Sequence, residues 1–294
     1  MAVKNNVKQN GGKNLISIKL FTDKNLDALV ADSEAKQRLY SEVADIVRVG
    51  NFDGVNVDFE YMSDPIRILD EDMQTMLSEM KNVGWGVVNV DVFANTIIKG
   101  DAERLTRLAN TVDGVIIMAY DFHRPGSDFA GAVAPMGAIE GQRSISEIIK
   151  RLEVDNIPKE KFVMAYPLYG YEWETDTNEM NSATRDAGYG ATVFYRVGVG
   201  FTGTNWDNLA QSPWTAWQEK ATRSRVVTKK VGKRYRKVTE YYTVDQWHQA
   251  YFENEESLRI KIEVAKNNKL GGTGFWALGY EGKESALIKK LISN

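Results

Sequence analysis

The sequence of 294 residues has no cysteine and only two histidines, His123 and His248. Without cysteine there can be neither disulfides nor thiolate metal sites, and two histidines are too few for a histidine-rich zinc site. No apolar segment approaches the roughly 20 residues that a membrane-spanning helix needs, and the opening MAVKNNVKQNGGKN lacks the apolar run of a signal peptide. We therefore expect no bound metal, no membrane partner and no conventional export signal.

An excess of charge of one sign is also lacking. Lysine and arginine total 37 against 40 aspartates and glutamates, which gives a net charge of −3. No global basic field points to nucleic acid, so we expect no nucleic-acid partner. The hydrophobic share of 43% and the charged share of 26% are typical of a globular protein with a large core.

Short apolar runs alternate along the chain with segments of helical periodicity, which predicts a parallel sheet covered by helices. No glycine-rich phosphate loop of the kind found in doubly wound sheets is present. Polar residues such as Asp91 and Asn95 follow the runs, as in enzymes built on a TIM barrel. We therefore predict an α/β fold, a TIM (β/α)8-type barrel. The strand candidates are 15–21, 54–60, 85–93, 113–121, 161–170 and 272–280, and the helix candidates are 32–50, 70–84, 101–112 and 144–155.

The alternation stops between about 171 and 260, before the last strand candidate. Within this stretch, residues 224–244 alternate in polarity around the turn-like VGKR and predict a β-hairpin. We expect a small α+β insertion subdomain here, within one domain that spans 1–294. The basic residues of the hairpin favour a solvated edge protected by charge over contact with an anionic polymer. They are Arg225, Lys229, Lys230, Lys233, Arg234, Arg236 and Lys237.

The stretch FDGVNVDFEYM (52–62) places polar residues at every second position of a predicted strand. Successive side chains of a strand point to opposite faces, so Asn56, Asp58 and Glu60 share one face. Two carboxyls this close do not both ionise easily, and a protonated carboxyl beside an ionised one suits general acid catalysis. A cation site formed by Asp53, Asp58 and Glu60 is the other interpretation, and the spacing alone leaves both open.

Four stretches resemble, in order, motifs of glycoside hydrolase family 18, the chitinase family. FDGVNVDFE (52–60) is similar to the signature that ends in the catalytic Glu, and MAYD (118–121) to the Met-x-Tyr-Asp motif. YPLYGYEW (166–173) looks like the Pro-x-Tyr-Gly strand, and GGTGFWALGY (271–280) like the last strand with its tryptophan. The surrounding segments resemble the bacterial branch that includes spore peptidoglycan N-acetylglucosaminidases.

The resemblance implies retaining, substrate-assisted hydrolysis of β-1,4-linked N-acetylglucosamine polymers, with peptidoglycan ahead of chitin and no cofactor. Glu60 would protonate the glycosidic oxygen, Asp58 would orient the 2-acetamido group, and Tyr120 would hydrogen-bond that group. Asp53 and Asn56 would support Asp58, and Asn56 stands where the family often has Asp, so altered pH tuning is expected. The substrate-binding residues that the motifs imply are Asp53, Asn56, Met118, Asp121, Tyr166, Tyr169 and Trp276.

Several aromatic residues of these motifs have an alternative role in the core. Tyr120 and Trp276 are expected in the site on the strength of the motifs. Tyr169, Tyr171 and Trp173 either line sugar subsites or pack in the interior. The mechanism does not require His123, which we expect to be a hydrogen-bonded loop residue.

The run LISIKLF (15–21) resembles the third strand of the family's barrel, so we expect the first two strands to be lacking. The chain may be regarded as truncated, as completed by a partner, or as an incomplete barrel. An open edge of a parallel sheet exposes backbone groups and apolar surface. We therefore expect self-association or a partner contact at this N-terminal edge.

The alternative function is a non-catalytic glycan-binding or structural protein, part of a spore layer or phage particle, on a chitinase-like fold. The presence of Glu60, Asp58 and Tyr120 favours catalysis over this alternative. In either case the partner is a polysaccharide. Action is expected at a cell wall, at a spore, outside the cell or on a virion.

Overall fold

A computed structural model describes residues 2–232, 234–283 and 286–292. The chain divides into two compact units. The first consists of residues 1–120, 136–166 and 259–276, and the second of 121–135, 167–258 and 277–294. Each unit is a discontinuous stretch of chain, and each has a sheet of its own.

The helices and strands follow one another in the order that the hydrophobic periodicity predicts. The strands are β1 Leu15–Leu20, β2 Gly54–Phe59, β3 Val87–Phe93, β4 Gly114–Met118, β5 Phe162–Pro167, β6 Tyr169–Thr175, β7 Gly190–Phe194, β8 Asn205–Asp207, β9 Ser212–Val231, β10 Arg234–Tyr251 and β11 Gly272–Trp276. The α-helices are α1 Ala2–Gln9, α2 Asp23–Ala31, α3 Ser33–Gly50, α4 Glu71–Asn82, α5 Ala94–Lys99, α6 Ala102–Thr111, α7 Ile145–Val154, α8 Tyr195–Gly198, α9 Glu255–Asn267 and α10 Leu287–Ile292. Short 3₁₀ turns cover Pro65–Leu69, Lys159–Lys161 and Asp186–Gly188.

The first unit contains a six-stranded sheet in the order β1-β2-β3-β4-β5-β11. The pairings from β1 to β5 are parallel, with Leu15 opposite Gly54 and Gly54 opposite Val87. Val55 and Val57 of β2 are fully buried, as are Met76 and Leu77 of α4. Apolar strand faces under amphipathic helices are the arrangement that buries the most apolar surface in a parallel sheet.

Helix starts in the first unit follow local capping chemistry. The Asp32 side chain accepts hydrogen bonds from the backbone N–H groups of Glu34 and Ala35 at the start of α3. Asp101 accepts one from Arg104 at the start of α6. Ser144 and Glu147 form a capping box at the start of α7. These side chains satisfy backbone donors that a helix leaves without partners in its first turn.

The second unit contains an antiparallel sheet in the order β7-β6-β10-β9-β8. Its core is an aromatic cluster in which the Trp214 and Tyr251 rings stack at 5.8 Å. Strands β6 and β10 approach closely at Gly170, where a Cβ atom would lie 1.9 Å from the Tyr251 carbonyl oxygen. Glycine is therefore required at this position.

The sequence correctly predicted the secondary structure of the first unit and the hairpin. The six strand candidates and the four helix candidates coincide with observed elements to within a few residues, and β9 and β10 form the predicted hairpin. The single strand predicted over 161–170 is wrong, because the chain makes two strands in two different sheets. Pro167 cannot donate a hydrogen bond to a strand ladder, and the Leu168 carbonyl accepts instead from Tyr195.

The sheet of the first unit has β1 and β11 as its edges in the part of the chain that the structure describes. Self-association or a partner at the β1 edge remains a prediction. Among the described residues, no helix is long and apolar enough to cross a membrane.

Replacing the α3 cap in Asp32→Ala should lower the free energy of unfolding by about 1 kcal/mol, because two backbone donors lose their acceptor. The measurement is a urea titration followed by circular dichroism. Asp45→Ala, on the exposed face of the same helix, is the matched control and should change stability by less than about 0.5 kcal/mol. Equal effects of the two substitutions would contradict the capping role.

Candidate functional site

A pair of carboxyl groups lies at the carboxyl end of β2. Asp58 and Glu60 alternate with the buried Val57 and Phe59, as expected for two residues on one face of a strand. The Glu60 backbone N–H donates to the Leu20 carbonyl at 2.9 Å, which continues the pairing with β1 beyond the end of β2. The Asp58 and Glu60 side chains are hydrogen-bonded to each other. A hydrogen bond between two carboxyl groups requires a proton on one of them.

The environment of Asp58 favours its neutral form. The side chain is only 8% exposed, and burial raises the pKa of Asp58, while the hydrogen bond to Glu60 and the charge of Lys19 lower it in part. Among the described residues, Asp58 Oδ1 has no hydrogen-bond partner although it is buried. An unsatisfied buried acceptor costs about 1–3 kcal/mol, so a ligand that donates to it binds more tightly.

Lys19 is the cation closest in register to this pair. It lies opposite Asp58 in the β1–β2 ladder, on an otherwise apolar strand. Its Nζ lies 6.0 Å from the centroid of the Trp276 ring at the end of β11. Trp276 is 47% exposed, so its indole ring is an accessible apolar surface. The ends of β1 and β11 therefore place a positive charge beside an accessible aromatic ring.

A third carboxyl group, Asp91, lies on the neighbouring strand β3. Its Oδ2 accepts a hydrogen bond from Asn56 Nδ2 at 2.6 Å. Burial raises the pKa of Asp91 to about 7; the Asn56 hydrogen bond opposes this rise and the charge of Asp58 adds to it. Asn56 therefore connects the polar residues of β2 with a carboxyl group that is partly protonated near neutral pH.

The other residues predicted for the first unit divide into two groups. Tyr120 and Met118 lie at the carboxyl end of β4, with Met118 opposite Ala165 of β5. Tyr166 is fully buried, and its hydroxyl donates to the Lys261 carbonyl oxygen at 2.7 Å. It therefore packs in the core and has no surface to offer a sugar.

Asp53 lies before β2, at the amino end of the strand, and not beside Asp58. Its Oδ2 accepts the Asn14 backbone N–H at 2.7 Å, and its Oδ1 lies 3.4 Å from Lys8 Nζ. The hydrogen bond from Asn14 is the main cause that lowers the pKa of Asp53. Five residues of strand separate Asp53 from Asp58, about 16 Å, which is too far for both to bind one cation. In the described residues no group of three His, Asp or Glu side chains is arranged to hold a metal ion.

In the second unit, Asp121 is held by two tyrosines of β6. The Tyr169 and Tyr171 hydroxyls donate to Asp121 Oδ1 at 2.6 and 3.0 Å. Burial, together with the charge of Asp121, raises the pKa of Tyr171. Asp121 has a positive φ of 59°, a backbone conformation that Asp adopts more readily than most residues. The predicted residues Asp121 and Tyr169 are therefore in direct contact.

Two further residues of the second unit have structural roles. His123 Nδ1 lies 2.9 Å from the Ala132 carbonyl oxygen, and burial lowers the pKa of His123. It is therefore the hydrogen-bonded loop residue that the sequence predicted. Trp173 is 1% exposed within the aromatic cluster, so packing is its role.

Two residues near the carboxyl pair were not assigned a role from the sequence. Lys19 is the only charged residue of LISIKLF, and a lone charge inside an apolar strand was the available signal. Asp91 was noticed as a polar residue after an apolar run, but its pairing with Asn56 depends on the register of β2 and β3. The β3 segment VVNVDVF does repeat the alternation of GVNVDF.

Comparison with known proteins gives a consistent result. The model of the family described as "Glycosyl hydrolases family 18" matches residues 1–281. The cortical fragment-lytic enzyme of Bacillus subtilis is 22% identical over 91% of this chain and 56% of its own length. An endochitinase of Brugia malayi is 23% identical over 86% of this chain and 50% of its own length. The chain thus spans about half the length of the curated relatives it matches.

Solved structures give the same fold. A Cycas revoluta chitinase in complex with allosamidin has a TM-score of 0.72 at 21% identity, over 95% of this chain and 79% of that one. The Bacillus megaterium spore cortex-lytic enzyme SleL has a TM-score of 0.68 at 18% identity, over 95% of this chain and 59% of that one. The predicted barrel-type α/β fold is confirmed, with six parallel-type strands in the described residues of the first unit.

The buried Asp91 makes stability depend on pH in a defined direction. The unfolded chain loses this proton near the ordinary pKa of 3.8, whereas the folded protein keeps it to about 7. The group's contribution to the free energy of unfolding therefore falls as pH rises through this window. We expect Asp91→Asn, which retains an acceptor for Asn56, to gain on the wild type by on the order of 1 kcal/mol or more between pH 4 and 8.

The measurement is the free energy of unfolding from urea titrations at pH 4, 6 and 8. Asp45→Asn, a change of the same chemistry at an exposed position, should follow the wild type at every pH. Parallel curves for Asp91→Asn and wild type would contradict the raised pKa.

Proposed function

This chain belongs to glycosyl hydrolase family 18, and on that premise we propose that it hydrolyses β-1,4-linked N-acetylglucosamine glycans with retention of configuration. The observation that carries the proposal is the hydrogen-bonded pair of Asp58 and Glu60, in which a buried Asp58 oxygen lacks a partner among the described residues. The pair supplies both a proton and an unsatisfied acceptor. These are the two requirements of a mechanism in which the 2-acetamido group of the substrate takes part.

Glu60 is the proposed general acid. It is half-buried at the end of β2, whereas Asp58 is deeply buried, so Glu60 is the member of the pair that a glycosidic oxygen can approach. As the bond to the leaving sugar breaks, Glu60 donates its proton to the departing oxygen. Asp58, which shares a hydrogen bond with Glu60, stabilises the proton on the donor before the reaction.

Asp58 is the proposed partner of the acetamido N–H. Its Oδ1 accepts this hydrogen bond, and the acetamido carbonyl oxygen attacks the anomeric carbon to give an oxazolinium ion. Water then opens the ring on the face from which the leaving group departed, and Glu60 takes up the water's proton. The negative charge of Asp58 favours the positive oxazolinium ion, so the acceptor gains strength as the reaction proceeds.

The proposed subsite around the acetamido sugar includes Tyr120 and Trp276. The Tyr120 hydroxyl would hydrogen-bond the acetamido oxygen, and the exposed indole of Trp276 would pack against the apolar face of the sugar. Asn56 holds Asp91 beside Asp58 and so tunes the charge that Asp58 experiences. In the second unit, the oriented Asp121 carboxylate is proposed to bind sugar hydroxyls.

Peptidoglycan is the proposed substrate, ahead of chitin. The names of two similar bacterial proteins concern the spore cortex, and this supports an N-acetylglucosaminidase that acts on wall polymer. Similarity to endochitinases supports the shared chemistry of the cleaved sugar. One domain spanning 1–294, with an insertion at about 171–260, is part of this proposal.

Glu60→Gln should reduce the release of reducing ends from chitooligosaccharides and purified peptidoglycan by roughly 10²–10⁴-fold, because an amide keeps the shape and removes the acid. Glu42→Gln, which changes an exposed carboxylate on α3, is the matched control and should retain wild-type rates. Asp58→Asn should also lose activity, because it removes the charge that favours the oxazolinium ion.

Two results would overturn the proposal. Cleavage by Glu60→Gln at the wild-type rate would exclude Glu60 as the proton donor. Glycan binding without cleavage by the wild type would favour the non-catalytic glycan-binding or structural alternative. The anomer that first appears, observed by NMR, tests retention independently.

A further inference from the structure

The β9–β10 hairpin extends beyond the sheet of the second unit. The two strands pair from Trp214–Tyr251 to Val231–Arg234, whereas β10 pairs with β6 only over Trp247–Tyr251 and β9 pairs with β8 only over Ser212–Trp214. Residues 218–246 therefore form a two-stranded ribbon without a third strand among the described residues. At about 3.3 Å per residue it is about 40 Å long.

Charge is distributed unevenly along this ribbon. The half nearer the sheet is balanced, with Lys220 and Arg223 against Glu219 and Asp245. The distal half, residues 225–240, which we call the arm, has seven basic residues and one acidic residue, Glu240. This net charge of +6 lies in a chain whose net charge is −3. Protection of a strand edge requires charge but not charge of one sign, so edge protection alone does not explain the arm.

Four basic side chains of the arm are available to a ligand. Glu240 forms ion pairs with Arg225 and Lys229, at 3.0 Å for Arg225. Within the described residues, no carboxylate lies within ion-pair distance of the other basic residues of the arm. These are Lys230, Arg234, Arg236 and Lys237, all of them exposed. Lys233 lies outside the described residues.

Exposed tyrosines share a face of the ribbon with two of these cations. Tyr235 lies opposite Lys230, and Tyr235, Lys237 and Tyr241 alternate along β10, so their side chains point to the same side. Tyr235 and Tyr241 are 72% and 75% exposed. An apolar ring has no reason to remain in water on a free surface, and aromatic rings between cations are suited to an anionic polymer whose sugars stack on them.

We propose that the arm binds the peptide-bearing glycan strands of peptidoglycan, with its cations on the peptide carboxylates and its tyrosines on the sugars. This inference rests on the proposed function and names what distinguishes the substrate. Chitin has the same glycosidic bond but no carboxylates, so the arm gives preference for the anionic polymer. Binding at the arm also raises the local concentration of bonds to be cleaved.

The test is cosedimentation with insoluble peptidoglycan, stripped of teichoic acid, and with chitin particles. All proteins carry Glu60→Gln so that the polymers stay intact. The arm variant is Lys230→Gln, Arg234→Gln, Arg236→Gln and Lys237→Gln together. The control variant removes two lysines and two arginines from exposed positions of the first unit, in Arg38→Gln, Arg48→Gln, Lys99→Gln and Lys150→Gln.

We expect the arm variant to bind peptidoglycan roughly tenfold more weakly, because each exposed ion pair contributes about a factor of two. The control variant should bind as before, and binding to chitin should not change. Raising NaCl from about 50 to 500 mM should weaken the binding of the unsubstituted arm to peptidoglycan, because salt screens exposed charges. Tyr235→Ser with Tyr241→Ser should weaken it at both salt concentrations.

Several results would overturn the proposal. These are equal binding by the arm and control variants, an equal loss on chitin and peptidoglycan, or salt-independent binding. Arm-dependent binding of teichoic acid or single-stranded RNA without binding of stripped peptidoglycan would assign the arm to another polyanion. Failure of the proposed function is separate, because it appears as absent cleavage of neutral chitooligosaccharides by the protein with Glu60 intact.

Discussion

Burial of the Asp58 carboxyl group is the constraint on which the site depends. Removing a carboxylate from water is unfavourable, so the group retains a proton, shares a hydrogen bond with Glu60 and faces the charge of Lys19. These contacts satisfy one oxygen and leave Oδ1 without a partner among the described residues. The apolar strands on either side hold the carboxyl groups in place, so the protein cannot relax to satisfy that atom itself.

The periodicity of the sequence was sufficient to predict most of the first unit. Strands buried on both faces and helices with one apolar face leave strong, different patterns, and α3, α4, α6 and α7 all lie where those patterns predicted. The alternation of Asn56, Asp58 and Glu60 predicted their shared face for the same reason. Family motifs then supplied a mechanism that spacing alone left open between chemistry and a cation site.

Contacts between distant parts of the chain were not predictable. Lys19 faces Asp58 only because β1 and β2 pair in one register, and Asp91 meets Asn56 only through the register of β2 and β3. Tyr166 belongs to a motif, yet its hydroxyl bonds to a carbonyl 95 residues away and its ring is buried. A motif shows which residue types recur, whereas burial depends on what the folded chain places around them.

The order of strands in the first unit has a consequence for biosynthesis. β11 lies beside β5, but residues 168–271 separate them in the chain. A ribosome that has synthesised residue 271 has therefore produced five strands, with β5 still an open, apolar edge. Joining ends this far apart carries a large loop-closure entropy, and nonlocal pairing of this kind is slow. The nascent chain therefore carries an aggregation-prone edge through roughly the last third of its translation, when chaperones have most reason to engage it.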